Sequence, residues 1–408
     1  MGISEHIVLE CLASLCCFGT ESKKTTCYQF WEGFVTLKVI FCWTDISGYM
    51  AACWRALHQS SEIDLFVLAF QARTETAFAD QLMDGLPCYL LDQNERHDET
   101  LIQTMVQSEQ PDVVVLCGWL HSAYRQLVTH PSSKDIAFVM GMDTPWWDTW
   151  KQKFAPLALR SYLSHIDRVV VTGERSWQYA RRLGFSSSTI MRGMYGIDFD
   201  AWSPLLQQRQ AQPWPRSFLF VGRYVQVKAI DVLIEAYRAY RNQVQEPWPL
   251  VCCGQGDLAI ELEDQPGIVN RGFVQPQDMP SIWRDAGALI LPSRFDPWPL
   301  VIVEAAASGL PIVCTEVCGS SVEVIRPWYN GLLVPEDHVA ALTKALLTMH
   351  QNYDNLSEWG SRSQQLAAPY AASVWVRRWH TLLHEVSGSK SLSSKDQTST
   401  QALSTTSP

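Results

Sequence analysis

Ser293-Arg-Phe-Asp-Pro-Trp-Pro-Leu-Val-Ile-Val-Glu-Ala305 joins an apolar, strand-like run, Ala288–Leu291, to a helix predicted over Pro299–Ser308. Strand, turn and helix in that order form the unit of a doubly wound parallel sheet. Asp296 falls in the turn, just ahead of the helix. Glu304 falls inside it, and Leu300, Val303 and Ala307 share its face by the i, i+3, i+4, i+7 spacing. A carboxylate among apolar neighbours is costly unless something donates hydrogen bonds to it. The two hydroxyls of a ribose are suitable donors. The helix start beside Asp296, opened by Pro299, offers the free N–H groups of Leu300 and Val301 and a positive dipole end, which suit phosphate, though Pro299 itself removes one N–H. These features together point to a pocket for a nucleotide-linked sugar.

Working outward, the same unit recurs. In the first half, strands are expected at Leu37–Trp43, Ile63–Phe70, Pro87–Leu91, Asp112–Gly118, Ile136–Met140 and Arg168–Thr172, with helices such as Tyr49–His58 and Arg175–Leu183 between them. Ser203–Pro215 is polar and punctuated by proline, and reads as a linker. The pattern then restarts, with strands at Ser217–Val221, Leu250–Cys253, Ile268–Arg271, Ala288–Leu291, Ile312–Thr315 and Leu332–Val334. Helices fit Ile230–Asn242, Gln277–Asp285, Val339–Asn352 and a last amphipathic segment, Ala372–Val386. The expected organisation is therefore an extension over 1–34, a Rossmann-like domain over 35–202, a linker over 203–216 and a second Rossmann-like domain over 217–370. A terminal helix over 371–387, able to pack back on the first domain, and a disordered Ser/Thr-rich tail over 388–408 complete it. The fold class is α/β, two doubly wound domains facing a central cleft.

Composition narrows the function. The 408 residues are 47% hydrophobic and carry a net charge of −10. There is thus no basic surplus to neutralise phosphates, and nucleic acid is excluded as a partner. Of the twelve cysteines, Cys16-Cys17 and Cys252-Cys253 are adjacent pairs, Cys314 and Cys318 stand four apart, and no CxxC occurs, so neither zinc nor a disulfide framework is indicated and a reducing, cytoplasmic setting is expected. Ile7–Gly19 is apolar, but the residues before it lack Lys and Arg, and the run is too short to span a membrane. Seventeen tryptophans suit core packing, sugar stacking or contact at the headgroup level of a membrane. A peripheral contact with the inner membrane face stays open.

Other motifs supply the rest of the chemistry. Phe218-Leu-Phe-Val-Gly-Arg223 is a strand ending in Gly222 and Arg223, and Lys228 follows five residues later. Two cations at a strand's carboxyl end can hold a diphosphate, Arg bidentately and Lys as a point charge. The alternative is a solvated pair flanking a loop. Cys253-Gly-Gln-Gly-Asp-Leu-Ala259 satisfies G-x-G-x-x-A, yet Pro266-Gly267 breaks the unit. Gly254 and its neighbour are better read as allowing close approach of backbone to a ligand or another loop. Asp198-Phe-Asp200 is an Asp-x-Asp, a metal-binding pattern elsewhere; here a turn and helix cap fits better. Ser320 and Glu323 have capping-box spacing. In the first half, the loops Trp43–Tyr49, with Gly48, and Gly141–Phe154, with Asp143, are expected to face the cleft. Trp146, Trp147 and Trp150, interleaved with Lys151 and Lys153, are read as a packed helix start or as a contact for an acceptor.

The order of Val221-Gly-Arg223 with Lys228, Gly254-Gln-Gly256, Gly272-Phe-Val274, Pro292-Ser293 with Asp296 and Glu304, Ala305–Val313 and Gly331–Pro335 resembles the GT-B-fold retaining glycosyltransferases of the family 4 type, the glycosyl transferases group 1. Asp167–Val171 and Gly196-Ile-Asp198 add to the resemblance. It implies a hexosyl transfer from a UDP- or GDP-linked donor to a saccharide or lipid-linked acceptor, in polysaccharide or glycolipid synthesis, with retained anomeric configuration. It also implies no metal and no cofactor beyond the donor. By the resemblance Arg223 and Lys228 hold the diphosphate, Glu304 takes the ribose hydroxyls and Asp296 contacts the donor sugar. Asp296 stands where the family has a glutamate, Pro299 where it has a glycine, and Asp143 occupies the loop that often carries a histidine. Two rivals keep the fold: a nucleotide-sugar epimerase or hydrolase, and a non-catalytic nucleotide-sugar binder.

Overall fold

The computed structural model describes residues 36–72 and 81–404, with side chains through 390. The extension expected over 1–34 lies outside the described residues. Seven parallel strands form the first sheet: β1 Leu37–Trp43, β2 Ile63–Phe70, β3 Cys88–Leu91, β4 Val113–Cys117, β5 Ala137–Met142, β6 Arg168–Val171 and β7 Ile190–Arg192. Six form the second: β8 Phe218–Val221, β9 Leu250–Cys253, β10 Ile268–Asn270, β11 Ala288–Leu291, β12 Ile312–Thr315 and β13 Gly331–Val334. Their orders are β3-β2-β1-β4-β5-β6-β7 and β10-β9-β8-β11-β12-β13.

Burial explains why these segments are strands. Val113, Val114, Val115 and Leu116 are all inaccessible, as are Ala288 to Leu291. A strand covered by helices on both faces needs a continuous β-branched or aliphatic run rather than an alternating one. The helix Ile230–Arg241 covers the second sheet through Ile230, Leu233, Ala236, Tyr237 and Tyr240, all fully buried. Each sheet reverses its winding once, between β1 and β4 and between β8 and β11. Loops leaving the carboxyl ends of strands at such a reversal diverge and open a crevice.

Two expectations need correction. The segment read as a linker is largely helical, Pro204–Gln210. Pro204 sits at the first turn, where its missing N–H costs nothing, and Leu205, Leu206 and Arg209 are buried. Arg209 donates to the carbonyls of Trp283 at 2.6 Å, Ser308 at 2.9 Å and Gly309 at 3.1 Å, so this helix is bonded to the second sheet's layer. A polar sequence concealed this, because a buried guanidinium satisfied by carbonyls looks like an exposed one in the sequence.

The last helix runs Ala372–Ser404 instead of ending at Val386, and so continues through the segment expected to be disordered. No proline interrupts it before position 408, and Lys390 pairs with Asp167 at 3.7 Å. Its buried Trp375 and Trp379 stack on each other at 4.9 Å and lie 6.3 and 5.3 Å from Phe41 of β1. Their indole N–H groups donate to the carbonyls of Met194 at 2.9 Å and Gly193 at 3.2 Å. The chain thus returns from the second lobe to close the core of the first.

Candidate active site

Both switch points carry candidate residues. At the second, β8 ends at Val221, Gly222 N donates to the Cys253 carbonyl at 3.0 Å, and the loop turns through a short 3-10 segment, Gln226–Lys228. A Cβ on Gly254 would lie 1.9 Å from the Gly222 carbonyl oxygen. Gly254 is therefore required for the approach of another loop, one of the two readings of that glycine pair. Lys228 Nζ donates to Asp296 Oδ2, and both side chains are largely buried, at 15% and 12% exposure. Arg223, by contrast, is exposed, with no protein partner among the described residues.

The loop after β11 is held from several sides. Arg294 forks onto Asp231 at 2.9 and 2.6 Å and also meets Asp337; these carboxylates, Asp231 first, hold its guanidinium pKa above its usual value. The main-chain N–H of Arg294 donates to Val227 O at 2.8 Å, tying this loop to the one that carries Lys228. Gly319 N donates to the Asp296 carbonyl at 3.0 Å. A Cβ there would sit 1.6 Å from Pro297 O, so only glycine permits the crossing. The sequence reading gave Arg294 no role. Its signal was available, an Arg in the quoted turn and an Asp three residues past Lys228, but the pairing spans 63 positions.

Pro299 caps the helix Leu300–Ala307, whose Leu300, Ile302 and Val303 are buried and whose Val301 is half-buried. Glu304 keeps a partly open edge, yet the protein packed round its carboxyl desolvates it and pushes its pKa up to about 7. Among the described residues no side chain or main-chain group donates to that carboxyl. The structure thus leaves Glu304 as the sequence implied, a carboxylate in want of donors.

At the first switch point, Gly48 opens the helix Gly48–His58, and a Cβ there would meet nothing within 4 Å. Tyr49 lies edge-on to Tyr195 at 5.2 Å. The Tyr195 hydroxyl donates to Asp143 Oδ2 at 3.2 Å. Burial raises the pKa of Asp143, the Tyr195 hydrogen bond lowers it, and the charge of Asp296 from the other lobe raises it again. The Tyr49 hydroxyl is likewise pushed up, by burial first and then by Asp143 and Glu304 among its neighbours. Asp143, Asp296, Glu304 and Tyr49 therefore share one electrostatic environment between the two sheets. Sequence reading missed both tyrosines, since Tyr49 and Tyr195 are 146 positions apart and meet only through the sheet.

The lobes also touch directly around this crevice. Trp147 lies 5.4 Å from Phe295. Arg175 donates to the carbonyls of Glu316 at 2.6 Å and Val317 at 3.1 Å. Glu323 Oε1 accepts from Glu174 N at 2.6 Å, at the start of the helix Glu174–Arg182. That contact corrects the capping box: Ser320 donates to the Pro299 carbonyl at 3.0 Å and makes no cap bond. Glu323 is drawn away by a helix N-terminus in the other lobe, where a carboxylate is favoured by orphan N–H groups and the dipole. The Asp-x-Asp pair behaves as the cap reading expects, with Asp198 accepting from Ala201 N at 3.2 Å and Asp200 exposed.

Comparison with known proteins agrees with this geometry. Residues 215–352 match the family model described as Glycosyl transferases group 1. Over 86% of its length the chain superposes on all of an Anabaena protein crystallised with UDP and glucose, HepE, with a TM-score of 0.66 at 16% identity. It superposes equally well, over 86% of its length and 99% of the other, on a sucrose-phosphate synthase of Thermosynechococcus elongatus at 15% identity and a TM-score of 0.66. The second lobe is thus similar to the group 1 glycosyl transferases, and the fold is GT-B. Among curated relatives, an exopolysaccharide phosphotransferase of Streptomyces coelicolor is 33% identical over 57% of this chain and 24% of its own length. An uncharacterized glycosyltransferase of Methanocaldococcus jannaschii is 26% identical over 48% and 46%. The chain spans about half the length, or less, of these relatives. In the GT-B frame, Arg223, Lys228, Asp296 and Glu304 belong to one lobe, and Gly48, Tyr49, Asp143 and Tyr195 to the other.

Proposed function

We propose that the chain is a retaining glycosyltransferase that moves a hexose from a UDP- or GDP-linked donor to a lipid-linked saccharide, without a metal in the transfer step. One observation carries the reading: a desolvated carboxylate with no protein donor among the described residues, Glu304, shares the crevice with one cation that has no partner among them, Arg223, and one anchored by a carboxylate, Lys228 with Asp296. Ribose hydroxyls would supply the two hydrogen bonds that Glu304 lacks, and a diphosphate would supply the anion that Arg223 lacks. As the sugar–phosphate bond breaks, charge grows on the leaving diphosphate. Cations already in place stabilise that charge at no cost of reorganisation. Asp296 positions the Lys228 ammonium, and its second oxygen remains for a sugar hydroxyl. The solved neighbour with UDP and glucose supports a nucleotide diphosphate donor.

The acceptor side favours a lipid-linked substrate over a free saccharide. The helix Trp150–Ala158 follows the Asp143 loop and exposes Trp150 at 68%, Phe154 at 63% and Leu157 at 73%. These lie on one face at i, i+4 and i+7, with Lys151, Lys153 and Arg160 exposed beside them. An apolar strip with aromatic and basic residues suits an anionic membrane surface. Among the described residues no helix is long and apolar enough to cross a membrane.

The test is a panel of UDP- and GDP-sugars with a lipid-linked acceptor, read as sugar transfer with and without EDTA. Transfer retained in EDTA supports the reading, whereas release of free sugar or of an epimer without acceptor supports the hydrolase or epimerase. Donor binding without turnover across acceptors identifies a binder. Flotation with phosphatidylglycerol vesicles, lost in a Trp150→Ser/Phe154→Ser variant, tests the membrane face; equal flotation of both proteins would refute it.

A further inference from the structure

Away from the crevice, three metal-ligating side chains converge. His380 and His384 stand one turn apart on the last helix, with ring centroids 4.5 Å apart. Glu62, in the turn leading into β2, meets both: its Oε2 lies 2.9 Å from His380 Nε2 and 3.6 Å from His384 Nε2. One ligating atom from each of the three residues can be chosen so that all lie within 4.8 Å of one another. Tetrahedral zinc with nitrogen and oxygen ligands near 2.0–2.1 Å spaces its ligand atoms about 3.3 Å apart. The observed separations bracket that value, so small side-chain rotations suffice. His384 Nε2 is buried and makes no hydrogen bond, which leaves its lone pair or its proton unsatisfied. All three side chains keep between 31% and 39% of their surface, enough to admit an ion and a water as fourth ligand.

We propose that Glu62, His380 and His384 form a site for one divalent transition-metal ion of the zinc type. Two imidazoles and a carboxylate match zinc and its Irving–Williams neighbours and disfavour magnesium, which takes oxygen ligands. The site has no part in the transfer chemistry. Glu62 precedes β2, at the amino end of the first sheet, whereas the crevice lies at the carboxyl ends. Bound metal fastens the returning helix to the lobe it closes, close to the contacts of Trp375 and Trp379 with β1. Metal that binds only the folded arrangement raises stability by linkage.

The experiment uses the full chain without a histidine tag, stripped with EDTA, dialysed and titrated with Zn²⁺ or Co²⁺ by calorimetry and absorption. One equivalent is expected to bind, with a rise in melting temperature that EDTA reverses and no response to Mg²⁺. The Co²⁺ complex should show ligand-field bands without thiolate charge transfer, which separates this site from the cysteines. His384→Ala and Glu62→Gln should each lose that equivalent and the thermal shift while retaining transfer activity at a temperature where they stay folded. No binding by the wild-type chain at millimolar Zn²⁺ overturns the proposal. So does an equivalent that persists in His380→Ala/His384→Ala, or a thiolate band in the Co²⁺ spectrum.

Discussion

The two walls of the crevice are built differently. In the second lobe, Arg223, Lys228, Asp296 and Glu304 lie on loops and a helix that leave adjacent strands, and main-chain hydrogen bonds such as Arg294 N to Val227 O fix their relation. In the first lobe, Tyr49, Asp143 and Tyr195 come from three separate elements and depend on each other's side chains. One wall carries fixed charge and, on the proposed reading, meets a ligand with fixed charge, the diphosphate. The other holds a carboxyl, Asp143, whose pKa is raised first by burial, then lowered by a tyrosine hydrogen bond and raised again by its neighbour across the crevice. A constant donor and a variable acceptor would call for this division.

The largest effect should come from the charged wall. Lys228→Ala and Arg223→Ala should each lower kcat/KM for transfer by well over tenfold, on the scale of about 2–4 kcal/mol for a lost transition-state contact. Lys228→Ala also strands Asp296 without its cation. Steady-state rates with a soluble acceptor analogue would read this out, and near-normal rates in both variants would break the assignment of this wall to the diphosphate.

Glu304→Gln separates stability from binding. The native carboxyl has a pKa near 7 against an ordinary 4.5, so the folded chain holds that proton more tightly than the unfolded one. Its contribution to stability is therefore whole below pH 4.5 and is lost as pH rises through 7; the loss is at most about 3 kcal/mol. The glutamine variant should melt with the wild type at pH 4.5 and above it at pH 8, while binding donor about tenfold more weakly for want of the charged acceptor. Equal melting at pH 8 would show that Glu304 is better solvated than its surroundings imply.

Contacts between the walls should have a smaller effect. Arg175→Ala removes two charge-assisted hydrogen bonds to the carbonyls of Glu316 and Val317, a loss of about 1–3 kcal/mol of closure. The radius of gyration in solution should increase and KM for donor should rise, with kcat little changed. An unchanged scattering profile would show that the lobes are held elsewhere, as by the Ile197–Tyr370 main-chain bond at 2.8 Å.

What the sequence made legible follows the same division. β1, β2, β9, β11 and β12 were readable to the residue because a strand buried on both faces leaves a largely apolar run, broken in β1 only by Lys38 and in β2 only by Asp64, each the second residue of its strand. The positions of Arg223, Lys228 and Asp296 were legible because they follow strand ends, where topology places ligands, and that of Glu304 because a lone carboxylate stands in an apolar helix. The helix Pro204–Gln210, the partner of Glu323 and the Tyr195–Asp143 bond were not. Each depends on which polar atom finds which partner across a long separation, such as 149 positions for Glu323 and Glu174. Hydrophobic periodicity records burial and is silent on pairing.

The finest distinction lies within the tyrosine-held wall. Tyr195→Phe removes only a hydroxyl, and with it a hydrogen bond worth about 0.5–1.5 kcal/mol. That bond favours the charged form of Asp143, and its loss adds to burial and to Asp296 in raising the carboxyl's pKa. If Asp143 acts as a carboxylate, the acidic limb of the kcat/KM profile should move to higher pH, by up to about one unit, with the plateau above it nearly unchanged. A uniform drop at all pH values would instead give Tyr195 a packing role alone. A limb that stays in place would mean that its pKa belongs to another group, with Glu304, near 7, the first to examine. The Glu304→Gln variant then decides between them, because it removes one titration and leaves the other.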